Sequence, residues 1–335
     1  MDALDLDTPA LYVDLPTMER NIREMQKQCN AWKVGLRPHT KTHKIPEIAA
    51  MQLETGAIGL TVAKVGEAEI MPASDLLIAY PLMEEKVPRV RELMKSRRVI
   101  VAIDSAEAAK HLKGIPTLVE VDVGVGRCGA QTPEAAVEVA KACSDFQGLF
   151  YWPSWLDDAG FKAACAKIDA TLDLLKKAGL EPKIVSGGST TGATKTPLIP
   201  RTTEIRPGTY VFYDASSLEA KCCLESDCAL RVITTVVSTA VPGQCLIDAG
   251  SKTFSSDMTR GPNTFGHFVG RPWTMRKMNE EHGYVEVGDR ARVGEKVWVI
   301  PSHVCPTVNL HDEVWYGRDG KVEGSWKVAV RGKVR

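Results

Sequence analysis

The chain has 335 residues, 44% hydrophobic and 25% charged, which suits a globular protein large enough for one big domain and a smaller one. Its 42 basic and 42 acidic side chains cancel, which argues against a nucleic-acid partner or attraction to an anionic membrane. The acidic opening, Met1 through Asp7, does not read as a secretion signal, and no stretch approaches the roughly 20 apolar residues of a membrane span. Nine cysteines, an odd count that includes the adjacent Cys222 and Cys223, fit a reduced, cytoplasmic setting with most thiols as small buried hydrophobes.

Met18, Ile22, Met25 and Cys29 recur at three- or four-residue spacing and predict a first helix. Short apolar runs at 34–37, 58–63, 76–79, 99–103, 117–123, 149–151, 183–186 and 204–213 predict strands, with amphipathic stretches between them. Two of those stretches are 133–143, with Thr132 as candidate cap, and 161–178. Such alternation over about 200 residues predicts an α/β fold with a parallel sheet, most simply a closed (β/α)8 TIM-type barrel over residues 14–215. An open doubly wound sheet is the alternative. Beyond about residue 220 the pattern turns β-rich, at 230–239, 244–248, 292–300 and 313–316. This predicts a C-terminal β domain over 216–335, joined by an N-terminal strand within 1–13. Inside it, 252–283 reads as one long irregular stretch, of a length that is often functional.

Five segments carry candidate chemistry. In Leu36-Arg37-Pro38-His39-Thr40-Lys41-Thr42-His43-Lys44 an extended backbone would point His39, Lys41 and His43 the same way. Nearby positive charge and partial burial favour a neutral amine, and a neutral amine attacks carbonyls. The alternative is a basic, solvated loop. Ser186-Gly187-Gly188-Ser189-Thr190 and Arg206-Pro207-Gly208-Thr209-Tyr210 follow the last two barrel strands, where barrels commonly bind phosphate. Gly124-Val125-Gly126-Arg127-Cys128-Gly129 formally matches G-x-G-x-x-G, which keeps an NAD-dependent oxidoreductase as a distant alternative, although it follows the fifth strand rather than the first. His303 and Cys305, two apart after an apolar strand, would share one side of an extended backbone and together suit zinc. A packed cysteine beside a capping histidine is the plain alternative.

Taken together, these segments resemble the D-threonine aldolase and D-serine dehydratase-like family, whose fold is that of the alanine racemase group of pyridoxal 5'-phosphate enzymes. The resemblance runs from Thr8-Pro9-Ala10-Leu11 nearly to the C-terminus. It is carried by the segment around Lys41, by Val121-Asp122-Val123-Gly124 with Arg127 and Gly129, by the two glycine segments, by Ile247-Asp248-Ala249-Gly250-Ser251-Lys252, and by His303-Val304-Cys305-Pro306-Thr307-Val308-Asn309-Leu310. It implies that Lys41 is the Schiff-base lysine and that Arg127 lies near the cofactor's phenolic oxygen or the substrate. Gly187, Gly188 and Ser189, with Gly208 and Thr209, match the phosphate cradle, flanked by Ser186 and Tyr210 as further cofactor-binding residues. Arg206 matches the position that faces the ring nitrogen in alanine racemases. His303 and Cys305 match the metal pair of the family's dehydratases, with zinc favoured and manganese or magnesium as alternatives.

The resemblance further implies a homodimer acting on a small D-3-hydroxy amino acid. Retro-aldol cleavage of D-threonine to glycine and an aldehyde is the leading reading. Dehydration of D-serine or a related D-3-hydroxy amino acid to a 2-oxo acid and ammonia is the runner-up. The sequence departs from the family at Gly148-Leu149-Phe150-Tyr151-Trp152-Pro153-Ser154-Trp155, where the usual Tyr-x-Gly segment and longer loop are missing. Tyr151 is expected to stand for the family tyrosine beside the cofactor.

Overall fold

The computed structural model describes residues 1–153 and 157–335, so Ser154 and Trp155 of the atypical segment lie outside the described residues. The chain forms two compact units. One comprises Glu24–Lys41, Ile48–Gly208 and Lys333–Arg335. The other comprises Met1–Arg23, Thr42–Glu47 and Thr209–Gly332.

The first unit is built on eight parallel strands: Gly35–Leu36, Leu60–Val62, Asp75–Ile78, Arg98–Ile103, Thr117–Glu120, Phe146–Phe150, Ile184–Gly187 and Glu204–Ile205. From the second strand to the eighth each pairs with the next, and the eighth pairs back onto the first. The gap between the first and second strands is bridged in parallel at His39 and Thr61. The Thr61 N–H donates to Pro38 O at 2.9 Å and the Ile58 N–H to Leu36 O at 2.9 Å. The ring therefore closes, as expected of a barrel and not of an open sheet. Closure removes the two edges that an open sheet would expose.

The strands are near-continuous apolar runs because helices cover a parallel barrel's outer face. Residues 99–103 are all buried. Helix Pro133–Ala142 begins as the sequence predicts, with Thr132 Oγ1 accepting the Ala135 N–H at 3.2 Å. Two strands stop well short of their apolar runs. The fifth ends at Glu120, because the Asp122 carboxylate gathers the N–H groups of Gly124, Val125 and Gly126 at 3.2, 2.9 and 3.1 Å and turns the chain. The eighth ends at Ile205, ahead of Pro207, which has no N–H for a ladder.

A charged chain runs through this unit. Arg37, only 2% exposed, donates from Nε to both Glu204 oxygens at 3.0 and 3.1 Å and from NH1 to Asp75 at 2.6 Å. Ser186 Oγ donates to Glu204 at 2.6 Å, and Arg206 NH1 donates to Ser186 Oγ at 2.6 Å. Burial works against the Arg37 charge, but Glu204 and Asp75 outweigh it and hold the guanidinium pKa above its ordinary value. Gly59 makes room for the arginine, since a Cβ there would lie 2.5 Å from Arg37 NH1.

The second unit contains a nine-stranded sheet. Its longest strand, Leu230–Ser238, pairs antiparallel with Ala10–Asp14, Gln244–Ile247 and Lys296–Pro301. Ala10–Asp14 pairs in turn, in parallel, with Glu313–Arg318. The 252–283 stretch is more ordered than its sequence suggests. It holds most of the short helix Ser251–Phe254 and the strands Gly266–Phe268 and Thr274–Met278. Thr274–Met278 carries Arg276 and Lys277 where alternation would need one apolar residue, and pairing with Gly283–Glu286 supplies the order that local pattern does not. All nine cysteines are free thiols, and no helix among the described residues is long and apolar enough to cross a membrane.

The buried network sets a stability contrast. Glu204→Ala should cost about 3–5 kcal/mol, because it leaves the Arg37 charge buried and undercompensated. Arg89→Ala removes a bidentate but solvent-facing pair with Glu69 and should cost no more than about 1 kcal/mol. Urea denaturation of the two variants checks this, and equal losses would contradict it.

Candidate active site

The first barrel strand leads through the His39 bridge into a 3-10 turn at Thr40–Thr42. The turn overturns the expectation that His39, Lys41 and His43 share one extended face, because side chains two apart diverge in a helical turn. His39 and Lys41 line one cavity of about 460 Å³. His43 is buried elsewhere, its Nδ1 accepting the Ile45 N–H at 3.1 Å. The turn is pinned by the Thr40 hydroxyl, which donates to Thr61 O at 3.2 Å.

The cavity lies at the C-terminal ends of the barrel strands, where the loops of such barrels build their sites. Besides His39 and Lys41 it presents Arg127, Arg206, Glu120 and Gly188, with Phe150 and Trp152 among its apolar walls. Arg206 is fully enclosed. Its guanidinium stacks 3.7 Å from the Phe150 ring and donates to Tyr151 O at 2.8 Å as well as to Ser186. Burial pulls its pKa down to about 10, with Glu204 the main opposing charge, so Arg206 remains a cation at neutral pH. Arg127 is half-exposed, 4.5 Å from the Trp152 ring centre and 3.5 Å from Glu120. Burial raises the Glu120 carboxyl above the usual carboxylate range, against a hydrogen bond with Cys128 and the charges of Arg127 and Arg206.

The other cofactor-binding candidates divide. Gly188 lines the cavity, whereas Ser186 is buried in the charged network behind it. Gly187 packs on Tyr151: a Cβ there would lie 2.1 Å from the tyrosine ring. Tyr151 is buried beneath Gly187 with its hydroxyl 2.7 Å from Thr202 Oγ1, and burial pushes its phenol up to about 12. Ser189 Oγ accepts the Gly192 N–H at 3.1 Å. Gly208 is buried at the end of the first unit, and Thr209 and Tyr210 begin a 3-10 turn in the second. The glycines of 124–129 do not present free amides to a dinucleotide, since Asp122 already accepts from residues 124–126.

In the second unit His303 stands at the N-cap of helix Val304–Leu310 and Cys305 lies in its first turn. The expected extended segment is therefore a helix start. Asp214 accepts the Val304 N–H at 3.2 Å, and Pro306 is tolerated in a first turn. The helix start still joins the pair, since His303 hydrogen-bonds to Cys305. The Cys305 thiol lies 3.3 Å from the hydroxyl of Thr42, the residue after Lys41 in the chain, and 3.9 Å from Thr209 Oγ1. His303 Nδ1 is 2.6 Å from Asp257 Oδ2. Burial alone would lower the imidazole pKa, but Cys305 and Asp257 outweigh it and push it up to about 9.

Among the described residues no group of three or more His, Cys, Asp or Glu is arranged to hold a metal. Two protein donors fit a catalytic metal with open positions, and not a closed structural zinc. Sequence reasoning missed Glu120, whose signal is a carboxylate closing an apolar strand, and Asp257, which has no local signal at all.

Two family profiles match the chain: the alanine racemase N-terminal domain over residues 13–216 and the putative serine dehydratase domain over residues 229–316. The chain is 34% identical to 3-hydroxy-D-aspartate aldolase of Paracoccus denitrificans (strain Pd 1222), covering 99% of this chain and 94% of that protein. The crystal structure of D-threonine aldolase from Filomicrobium marinum superposes with a TM-score of 0.90 at 30% identity, covering 99% of this chain and 98% of that one. D-threo-3-hydroxyaspartate dehydratase from Delftia sp. HT23 superposes at 0.87 with 27% identity, covering 97% and 98%. A variant of D-threo-3-hydroxyaspartate dehydratase is also known in a metal-free form.

The packing of Tyr151 under Gly187 makes a sharp test. Gly187→Ala should displace the ring and cost about 1–3 kcal/mol as an overpacked site, and Tyr151→Phe about 1 kcal/mol through the lost Thr202 hydrogen bond. Thermal denaturation reads both, and an unchanged melting temperature for Gly187→Ala would contradict the packing.

Proposed function

This chain belongs to the D-threonine aldolase and D-serine dehydratase-like family of lyases, and we propose that its own reaction is the retro-aldol cleavage of D-threonine to glycine and acetaldehyde. The observation that carries this choice is the higher identity to aldolases, 34% and 30%, than to the dehydratase structure, 27%. The second reading is a D-3-hydroxyamino-acid dehydratase. The serine dehydratase profile over residues 229–316, which contains the His303–Cys305 pair, favours it.

The residues present fit both implied cofactors. A cavity of about 460 Å³ suits a small cofactor and substrate, within the roughly 300–1,000 Å³ of ligand pockets, and it offers one lysine, two arginines and Gly188. His303 and Cys305 offer a borderline and a soft donor. When bound, pyridoxal phosphate supplies an electron sink for charge at the substrate's α-carbon, and a divalent metal supplies a Lewis acid for its β-hydroxyl.

Lys41 Nζ is the proposed covalent tether. Arg206 keeps a fixed cation on the cavity wall, and Arg127 a half-exposed one beside Trp152. Glu120, whose carboxyl burial raises above the usual carboxylate range, stands on the same wall beside Arg127. Phe150 and Trp152 give the cavity apolar walls beside the two arginines. In the dehydratase reading Lys41 Nζ takes the Cα proton. In the aldolase reading that proton stays, a base takes the β-hydroxyl proton, and the Cα–Cβ bond breaks to release the aldehyde. The pair His303 and Cys305 would hold zinc, with manganese or magnesium as catalytic substitutes. The proposed assembly is a cytoplasmic homodimer, which sedimentation of a fully active monomer would overturn.

Borohydride treatment and peptide mapping should place a pyridoxyl group on Lys41, and label on Lys44 or Lys64 instead overturns the assignment. Incubation with D-threonine should give glycine and acetaldehyde, while 2-oxobutyrate and ammonia would select the dehydratase.

Exhaustive chelation, or His303→Ala, should abolish lyase activity and leave the visible absorbance of the Lys41-bound cofactor in place. Full activity in a preparation without detectable metal would refute the metal's role.

A further inference from the structure

Asp257 lies in the stretch whose sequence has no regular pattern, yet both its backbone and its side chain are engaged. Its backbone carbonyl accepts the Ser302 hydroxyl in a short hydrogen bond, and its N–H donates to Ser255 Oγ at 3.3 Å. The helix just before it, Ser251–Phe254, is tied to the helix that follows His303. Thr307 Oγ1 donates to Phe254 O at 3.1 Å, and His311 Nε2 lies 3.2 Å from Thr253 O. Ser302 is held independently, its N–H donating to Phe265 O at 3.1 Å and its carbonyl accepting the Ser216 hydroxyl at 2.7 Å. The carboxylate of Asp257 and the ring of His303 are thus fixed from both sides before they meet at 2.6 Å.

An incidental surface ion pair needs no such support and contributes little. Both side chains here are partly exposed, 42% for His303 and 48% for Asp257, so stability alone is a poor reason for the anchoring. The geometry suits a different task. An imidazole ligates through one nitrogen, and the hydrogen bond at the other sets the tautomer and the ring rotation. A carboxylate on Nδ1 leaves Nε2 as the donor nitrogen. Asp257 is itself not part of any three-residue ligand group among the described residues.

We propose that Asp257 is a positioning residue: it holds the proton of His303 on Nδ1 and turns Nε2 toward a divalent metal. The inference rests on the reading of His303 and Cys305 as the metal pair. It gives the 252–283 stretch a role in metal affinity without direct coordination.

The test is zinc binding by the full-length protein after removal of metal, titrated in competition with a chromophoric chelator. Asp257→Ala should weaken zinc about 10–100-fold, the usual effect of losing such an outer carboxylate. Asp257→Asn, whose amide oxygen still accepts from Nδ1 without charge, should fall between Asp257→Ala and the unaltered protein. Unchanged affinity in Asp257→Ala overturns the proposal. A loss as complete as that of His303→Ala also overturns it, because Asp257 would then be a ligand. If His303→Ala itself binds zinc like the unaltered protein, the metal pair is wrong, and the positioning role falls with it. Should Asp257→Ala fail to fold, long-range proton–nitrogen spectra of the zinc-loaded unaltered protein decide the matter: a proton on His303 Nδ1 supports the proposal, and one on Nε2 refutes it.

Discussion

A guanidinium withdrawn from water must find counter-charge and acceptors in the protein, and Arg37 finds them in Glu204 and Asp75. Those two carboxylates stand on the eighth and third barrel strands, and Arg37 directly follows the first. Ser186, on the seventh, joins Glu204 to Arg206, which directly follows the eighth. A slip of register in any of these strands would leave a charge buried without a partner. The network is thus a constraint on register as much as a source of stability, and it ends at a cavity wall. The cation offered there by Arg206 is fixed in place because its donors are already engaged by Ser186 and the Tyr151 carbonyl.

The cavity inherits its chemistry from that arrangement. Parallel strands closed into a ring put all their C-terminal ends on one side, so residues far apart in sequence, Lys41, Glu120, Gly188 and Arg206, line one space. A lysine on a turn pinned by Thr40, a buried arginine and a carboxyl that burial raises above the usual carboxylate range stand together on its wall.

The second unit solves a different problem. His303 and Cys305, the proposed donor pair, sit where a strand gives way to a helix, and the transition is held by Asp214 on the helix N–H and by Asp257 on the imidazole. Two carboxylates with separate tasks, one satisfying backbone and one orienting a ring, stabilise an arrangement that two donors alone would not fix.

The sequence by itself determined the alternation of apolar runs and helical spacings, and hence the barrel. Burial on both faces of a parallel strand and on one stripe of a helix writes itself into local periodicity. It also marked Lys41, Gly188, Arg206, His303 and Cys305, because their segments carry unusual residue combinations. The tertiary structure decided what local pattern does not encode. Thr40–Thr42 became a turn because the barrel closes at His39 and Thr61, which parted His43 from Lys41. Tyr151 was drawn beneath Gly187 by packing and by Thr202, away from the cavity. Asp257 reached His303 across 46 residues, through hydrogen bonds that depend on how two short helices dock. Periodicity reports which face of an element is buried, whereas the partner that a polar atom finds is settled only when distant segments are brought together.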